Sequence, residues 1–247
     1  TALALAAAAG RAALTVARPP KPSIMSGGDE IVAPDAEPNE AQIFESASYG
    51  VAGMATQWGA TATAATPYRD DKTAIAAALD AQARQCDLTI IIGGASVGDH
   101  DHARSALETI GGKLLFDKVA LRPGKPTWFA IREGKPILGL PGNPTSAFVC
   151  ARLFLRPLID RMLGLDPSLS SAIQAARLRQ PLVANGARET YLRARSSQDE
   201  TGQAWVDVVV NQDSSLVTTF AASDLLVVRR PNAPALGKGD LAQALEI

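Results

Sequence analysis

The chain has 247 residues, 47% hydrophobic and 20% charged, enough for one large or two ordinary globular domains. Its formal net charge of −1 and pI near 6.1 leave no global field to gather nucleic acid or an acidic membrane surface, so a bound anion must be held by local chemistry. No apolar run reaches transmembrane length, and two distant cysteines, Cys86 and Cys150, fit a reducing cytoplasm better than a disulfide framework or a zinc site.

The start at Thr1 and the alanine-rich Ala2 to Ala9 read as the tail of a helix, a remnant (1–18) of a domain lying upstream of the given sequence. Pro19, Pro20 and Pro22 lead into a short strand at Ser23 to Ser26, which ends in Gly27-Gly28-Asp29-Glu30. Gln42 to Trp58 is predicted to be helical, Ala60 to Ala65 a strand, Asp70 to Gln85 a helix capped by Asp70, and Leu88 to Ile92 a buried strand. A helix follows at His102 to Ile110, then strands at Leu114 to Val119, Thr127 to Ile131 and Ile137 to Leu140, and a long helix at Thr145 to Leu163. Strands alternating with amphipathic helices imply a mostly parallel sheet covered on both faces. A Pro/Ser-rich stretch from Gly164 to Ser171 reads as a linker. Beyond it, Ile173 to Leu178, Thr190 to Ser196, Ala204 to Val210, Asp224 to Val228 and Leu241 to Leu245 are short and extended, which indicates a small β domain.

Three loops carry the candidate chemistry. The apolar run Thr89-Ile90-Ile91-Ile92 opens into Gly93-Gly94-Ala95-Ser96-Val97-Gly98-Asp99-His100-Asp101, where free N–H groups, Ser96 and a following helix start suit phosphate. Asp99 and Asp101 would repel that anion unless a cation such as Mg²⁺ bridges them; the alternative is that they only cap the helix. The second loop lies in a stretch holding Lys113, Lys118, Arg122 and Lys125 against Asp117, a local charge of +3, with Pro123 and Pro126 restricting the chain around Lys125. A solvated turn is the plainer reading of that segment. In the third, Leu140-Pro141-Gly142-Asn143-Pro144-Thr145-Ser146, Asn143 can cap the long helix and Pro144 suits its first turn, while Ser146 and free N–H groups offer a second oxyanion position. Neither Ser96 nor Ser146 lies in G-x-S-x-G, which argues against a serine hydrolase. Asp29 and Glu30 could complete a cation site or orient a nucleotide hydroxyl, or serve as turn residues. Trp58, Trp128 and Trp205 are scattered and read as core or partner-facing side chains.

With these loops in hand, the chain resembles the MoeA/gephyrin family of molybdopterin molybdenumtransferases. The resemblance rests on Ser26-Gly27-Gly28-Asp29-Glu30, the Gly93 to Asp101 loop, Arg122-Pro123-Gly124-Lys125-Pro126, Leu140 to Ser146, Arg188-Glu189-Thr190-Tyr191-Leu192-Arg193-Ala194 and Gln212-Asp213-Ser214-Ser215. It implies an α/β fold: a three-layer molybdopterin-binding domain with a mostly parallel sheet (19–165), then a small β-barrel-like domain (172–247). The implied reaction inserts molybdate into adenylylated molybdopterin and releases AMP. By resemblance, Gly94, Ser96, Gly98, Asp29 and Asn143 line the pterin and phosphate pocket, Lys118 contacts substrate phosphate, and Asp101, with Asp99 and Glu45, acts in Mg²⁺-dependent cleavage of the adenylyl link. Arg122, Lys125, Ser146, Arg188, Ser214 and Ser215 form the molybdate-facing set. Where the family has Asp-Thr/Ser-Asn after an aromatic residue, this chain has Glu45-Ser46-Ala47. The resemblance also implies a cytoplasmic homodimer and a molybdopterin adenylyltransferase as partner. Two other readings stand beside the enzyme: a molybdopterin-binding module without turnover, and a dimerising scaffold fragment.

Overall fold

The computed structural model describes residues 1–64, 67–94 and 102–247. After an exposed helix α1 (Ala2–Ala8), the chain forms β1 (Pro22–Ser26), β2 (Ile31–Val32), β3 (Ile43–Phe44), α2 (Ala47–Gln57), β4 (Thr63–Ala64), α3 (Lys72–Gln85), β5 (Leu88–Ile92), α4 (His102–Thr109), β6 (Lys113–Phe116), β7 (Leu121–Arg122), β8 (Trp128–Arg132) and β9 (Lys135–Leu140). A helical rod follows: α5 (Pro144–Cys150), a π-turn (Ala151–Leu155) and α6 (Arg156–Met162), then a short α7 (Pro167–Ser170). The remainder is β10 (Gln174–Leu178), β11 (Glu189–Gln198), β12 (Ala204–Val208), α8 (Val217–Ala221), β13 (Leu225–Arg229) and β14 (Leu241–Glu246).

The first sheet runs β4-β1-β5-β9-β8-β6, parallel from β4 to β9 and antiparallel through β8 and β6. Successive residues of a strand face opposite sides. Ile24, Ile90, Ile92 and Leu138 therefore pack against α2 and α5, while Met25, Ile91 and Ile137 pack against α3 and α4. That alternation is the three-layer α/β architecture. β1 and β5 are buried along their whole length because helices cover both faces, which is why β5 reads as a nearly continuous apolar run.

The second sheet closes on itself in the order β12-β10-β14-β13-β11, with β11 pairing back to β12. Leu178, Ala194, Val206, Leu225 and Val227 fill the inside of this five-stranded barrel. The alternate residues Leu226 and Val228, with Phe220 and Leu245, join the core cluster of the first unit, and Phe220 packs on Phe148 at a ring separation of 5.1 Å. β7 is the other tie: it leaves the first unit and pairs in parallel with β11, Leu121 opposite Glu189 and Arg122 opposite Thr190.

Several local expectations are corrected. The helix predicted from Gln42 starts at Ala47, because Ile43–Phe44 pairs with Ile31–Val32 and the buried Glu45 carboxylate closes the helix start, accepting the Ser48 N–H at 2.8 Å and the Ser48 hydroxyl at 2.7 Å. Asp71, not Asp70, caps α3 by accepting the Ala74 N–H. Asn143 occupies the N-cap position of α5 but makes no side-chain cap bond. The long helix is not regular: Pro157 cannot continue the hydrogen-bond ladder, and the turn before it widens to π geometry.

Candidate functional site

The C-terminal ends of β1, β5 and β9 lie side by side, and the loops that leave them meet through their glycines. Gly93 has φ +81°, and a Cβ there would stand 2.9 Å from the Gly27 carbonyl oxygen. A Cβ on Gly142 would stand 3.4 Å from Gly93 Cα. Three backbones packed this closely need residues without side chains, and they create a mouth at the ends of adjacent parallel strands.

That mouth opens into a cleft of about 890 Å³, lined among others by Ser26, Gly28, Glu30, Glu45, Asp70, Gly94, His102, Asn143 and Ser215. The Ser26 hydroxyl is closed off from solvent at 3% residue exposure and has no hydrogen-bond partner among the described residues, an orphaned polar atom in the cleft wall. Asp29 sits beside the cleft, not in its lining, and its carboxylate accepts the Asp70 N–H at 3.2 Å.

A second cleft, about 600 Å³, adjoins the first: Pro126 lines both. Its wall contains Arg122, Lys125, Ser146, Arg188 and Ser214, residues drawn from four separate stretches of sequence and from both units. Asn143 Nδ2 donates to Ser214 Oγ at 2.9 Å, and the Thr145 N–H donates to the Ser214 carbonyl at 3.1 Å, so the loop before α8 is stitched to the N-terminus of α5. Ser215 falls on the other side of that stitch, in the first cleft, with its N–H and hydroxyl both donated to Asp213 Oδ1.

The electrostatics of the second cleft are one-sided. Arg122, Lys125 and Arg188 form no ion pair among the described residues; Arg188 has only the Leu121 carbonyl, at 3.3 Å. The one acid among the described lining residues, Asp213, has its pKa held below the ordinary carboxylate value mainly by hydrogen bonds from Ser215. Lys125 is set by its loop: Gly124 has φ +120°, and a Cβ there would stand 2.3 Å from Cys150 Sγ. Thr127 Oγ1 donates to the Gly124 carbonyl at 2.8 Å. Burial pushes the Cys150 thiol up to about 12, so it serves as inert packing beneath the loop.

The expected site residues therefore divide. Gly94, Glu45 and Asn143 line the first cleft; Arg122, Lys125, Ser146, Arg188 and Ser214 line the second; Ser215 belongs to the first. Lys118 is exposed, 3.7 Å from Asp117, and lines neither. Ser96, Gly98, Asp99 and Asp101 lie outside the described residues. Among the described residues no group of three or more His, Cys, Asp or Glu side chains gathers to hold a metal ion. Both Glu45 oxygens accept hydrogen bonds from Ser48, and Asp99 and Asp101, on which the Mg²⁺ expectation chiefly rests, lie outside the described residues. Sequence reading missed Arg229, Thr190 and Asn185 in the second cleft. Arg229 had a signal, since it ends the apolar run Leu225-Leu226-Val227-Val228, where a charge is costly unless it has work to do.

Comparison with known proteins agrees with this layout. Residues 23–161 match the family described as "Probable molybdopterin binding domain", and residues 175–247 match "MoeA C-terminal region (domain IV)". A molybdopterin molybdenumtransferase from Nostoc is 34% identical over 72% of this chain and 41% of its own length. Molybdopterin molybdenumtransferase 2 of Mycobacterium tuberculosis is 36% identical over 72% of this chain and 46% of its own. A molybdopterin biosynthesis MoeA structure from Pyrococcus horikoshii superposes with a TM-score of 0.80 at 28% identity, covering 98% of this chain and 58% of that one. The chain thus spans less than half the length of these two curated relatives. With the molybdopterin-binding domain matched over more than half its residues and the MoeA closing domain after it, the chain belongs to the MoeA family, of which it carries the C-terminal part.

Proposed function

We propose that the chain acts in molybdenum cofactor biosynthesis as the catalytic portion of a molybdopterin molybdenumtransferase, inserting molybdate into adenylylated molybdopterin with release of AMP. One observation carries this reading: Arg122, Lys125, Ser146, Arg188 and Ser214, remote in sequence, line a single cleft whose cations have no carboxylate partner among the described residues, next to the glycine-lined mouth. Molybdate is a tetrahedral dianion, and fixed guanidinium and ammonium groups with hydroxyl donors suit it. Insertion needs a dithiolene and an oxyanion brought together and no protein nucleophile, so proximity and charge compensation supply the rate. In this reading the larger cleft holds pterin and phosphate through Ser26, Gly94 and Asn143, and the smaller holds molybdate.

Mg²⁺, when bound, would neutralise phosphate charge at Asp99 and Asp101; none of the roles given to the described residues depends on it. The reading extends to a cytoplasmic homodimer that receives its substrate from a molybdopterin adenylyltransferase. The test is molybdate-dependent AMP release. Replacing both Arg122 and Lys125 by alanine should raise the KM for molybdate by roughly tenfold or more while pterin affinity stays near wild type. Unchanged molybdate dependence in that double variant would remove the assignment.

A second reading is favoured by Glu45, whose two oxygens are both occupied by Ser48 in a chain that has Ala47 beside it. It makes the protein a molybdopterin-binding module without turnover. Tight pterin binding with no AMP release in the same assay selects it.

A further inference from the structure

Three strands place a row of residues across the floor of the smaller cleft. Thr190 on β11 is in register with Arg122 on β7 and with Arg229 on β13, so all three side chains project from the same face. All three line the cleft, and two strand spacings put the two arginine backbones about 10 Å apart. Thr190 donates its hydroxyl to Asn185 Oδ1 at 2.9 Å. Asn185 in turn uses Nδ2 on the carbonyls of Arg188, Arg229 and Arg230, which fixes the loop above the row.

Arg229 is the anomaly in this row. It is 4% exposed and forms no ion pair among the described residues. Its Nη2 donates to the carbonyls of Val183 and Pro234, while Nε and Nη1 have no protein partner among the described residues. Burial alone lowers its pKa. A buried guanidinium without a counter-charge is unfavourable, and an arriving dianion relieves that cost at the position where the cleft lacks negative charge.

We infer that Arg229 is a further oxyanion-binding residue, which together with Arg122 brackets molybdate across the Thr190 row. This deepens the proposed function and rests on it. In this arrangement Arg229 offers from the barrel the Nη1 hydrogens that the loop carbonyls leave free, in the cleft that Lys125 and Ser146 also line. The two carbonyls that hold Nη2 fix the guanidinium's orientation, which a lysine ammonium in its place would not reproduce.

The experiment is calorimetric titration of inorganic molybdate alone into the whole chain, comparing wild type, Arg229→Gln, Arg229→Lys and Lys125→Ala at two or more salt concentrations. The expected result is a roughly tenfold weaker Kd for Arg229→Gln with a shallower salt dependence, and for Arg229→Lys a Kd weakened roughly threefold with the wild-type salt slope retained. An arginine that only props the 182–186 loop would leave the salt slope untouched. If Arg229→Gln does not fold, Arg229→Lys decides, and a wild-type Kd there overturns the inference. If Lys125→Ala weakens molybdate and folded Arg229→Gln does not, the inference falls and the proposed function stands. If wild type does not bind molybdate, both fall.

Discussion

Asp71 and its neighbour Asp70 show how one position decides a role. Asp71 sits in extended geometry before α3 and accepts the Ala74 N–H at 2.6 Å, satisfying one of the helix's orphan donors. Asp70 instead gives its backbone N–H to Asp29. Asp71→Ala should therefore cost about 1 kcal/mol of stability in urea denaturation, and Asp70→Ala less than about 0.5. Equal losses would mean that the cap is shared. Two adjacent aspartates before a helical pattern carry the same sequence signal, so the choice between them was not legible; only the backbone turn makes it. Lys118 is a similar case. Its charge contributes to the basic stretch that pointed to the second cleft, yet its side chain leaves the loop on the solvent side. Arg122 and Lys125 were readable because prolines and Gly124 fix their loop, and Gly124 is enforced by the Cys150 sulfur packed against it.

Among the elements, the β11–β12 hairpin is held by one carboxylate. Asp199 accepts hydrogen bonds from the side chains of Thr201 and Trp205 and from the backbone N–H groups of Thr201 and Gln203, and these lower its pKa to about 2 from 3.8. A depressed carboxylate contributes stability above its unfolded pKa and loses it as pH falls through the folded one. The Trp205 indole N–H resonance should therefore shift in acid with a midpoint near 2, and a midpoint at 3.8 would show the bonds to be absent. The strand and helix pattern of the first unit was legible because periodicity survives wherever helices cover a sheet: β5 falls at Leu88 to Ile92 as expected. What escaped were two-residue strands. Leu121–Arg122 and Ile43–Phe44 are too short for a period to show, and each is fixed by a partner outside its own segment, the start of β11 for the first and Ile31–Val32 for the second. Arg122 could be named as a cation from sequence, but not as part of a row with Thr190 and Arg229, since β pairing between separate units leaves no local trace.

For the whole molecule, the cores of the two units are not separate. Phe220, Leu226, Val228 and Leu245 belong to the same buried cluster as Ile24, Leu140 and Phe148. The molecule should accordingly unfold in one calorimetric transition, and Phe220→Ala should remove about 3–5 kcal/mol while keeping that transition single. Two resolved transitions in wild type would show that the shared cluster does not couple the units. A sequence division at the Pro/Ser-rich stretch describes chain order well but conceals this continuity, because the residues that join the units are ordinary apolar side chains on β13, β14 and α8. Arg122 is hydrogen-bonded into the barrel's edge, whereas Lys125, three positions later, is tied by its carbonyl to Val119 on the other body. Pro123 and Gly124 are thus the pivot between two charged jaws, and any rocking of one sheet on the other would change the gap between them, turning the spacing of the cations into a gauge of how the bodies are seated.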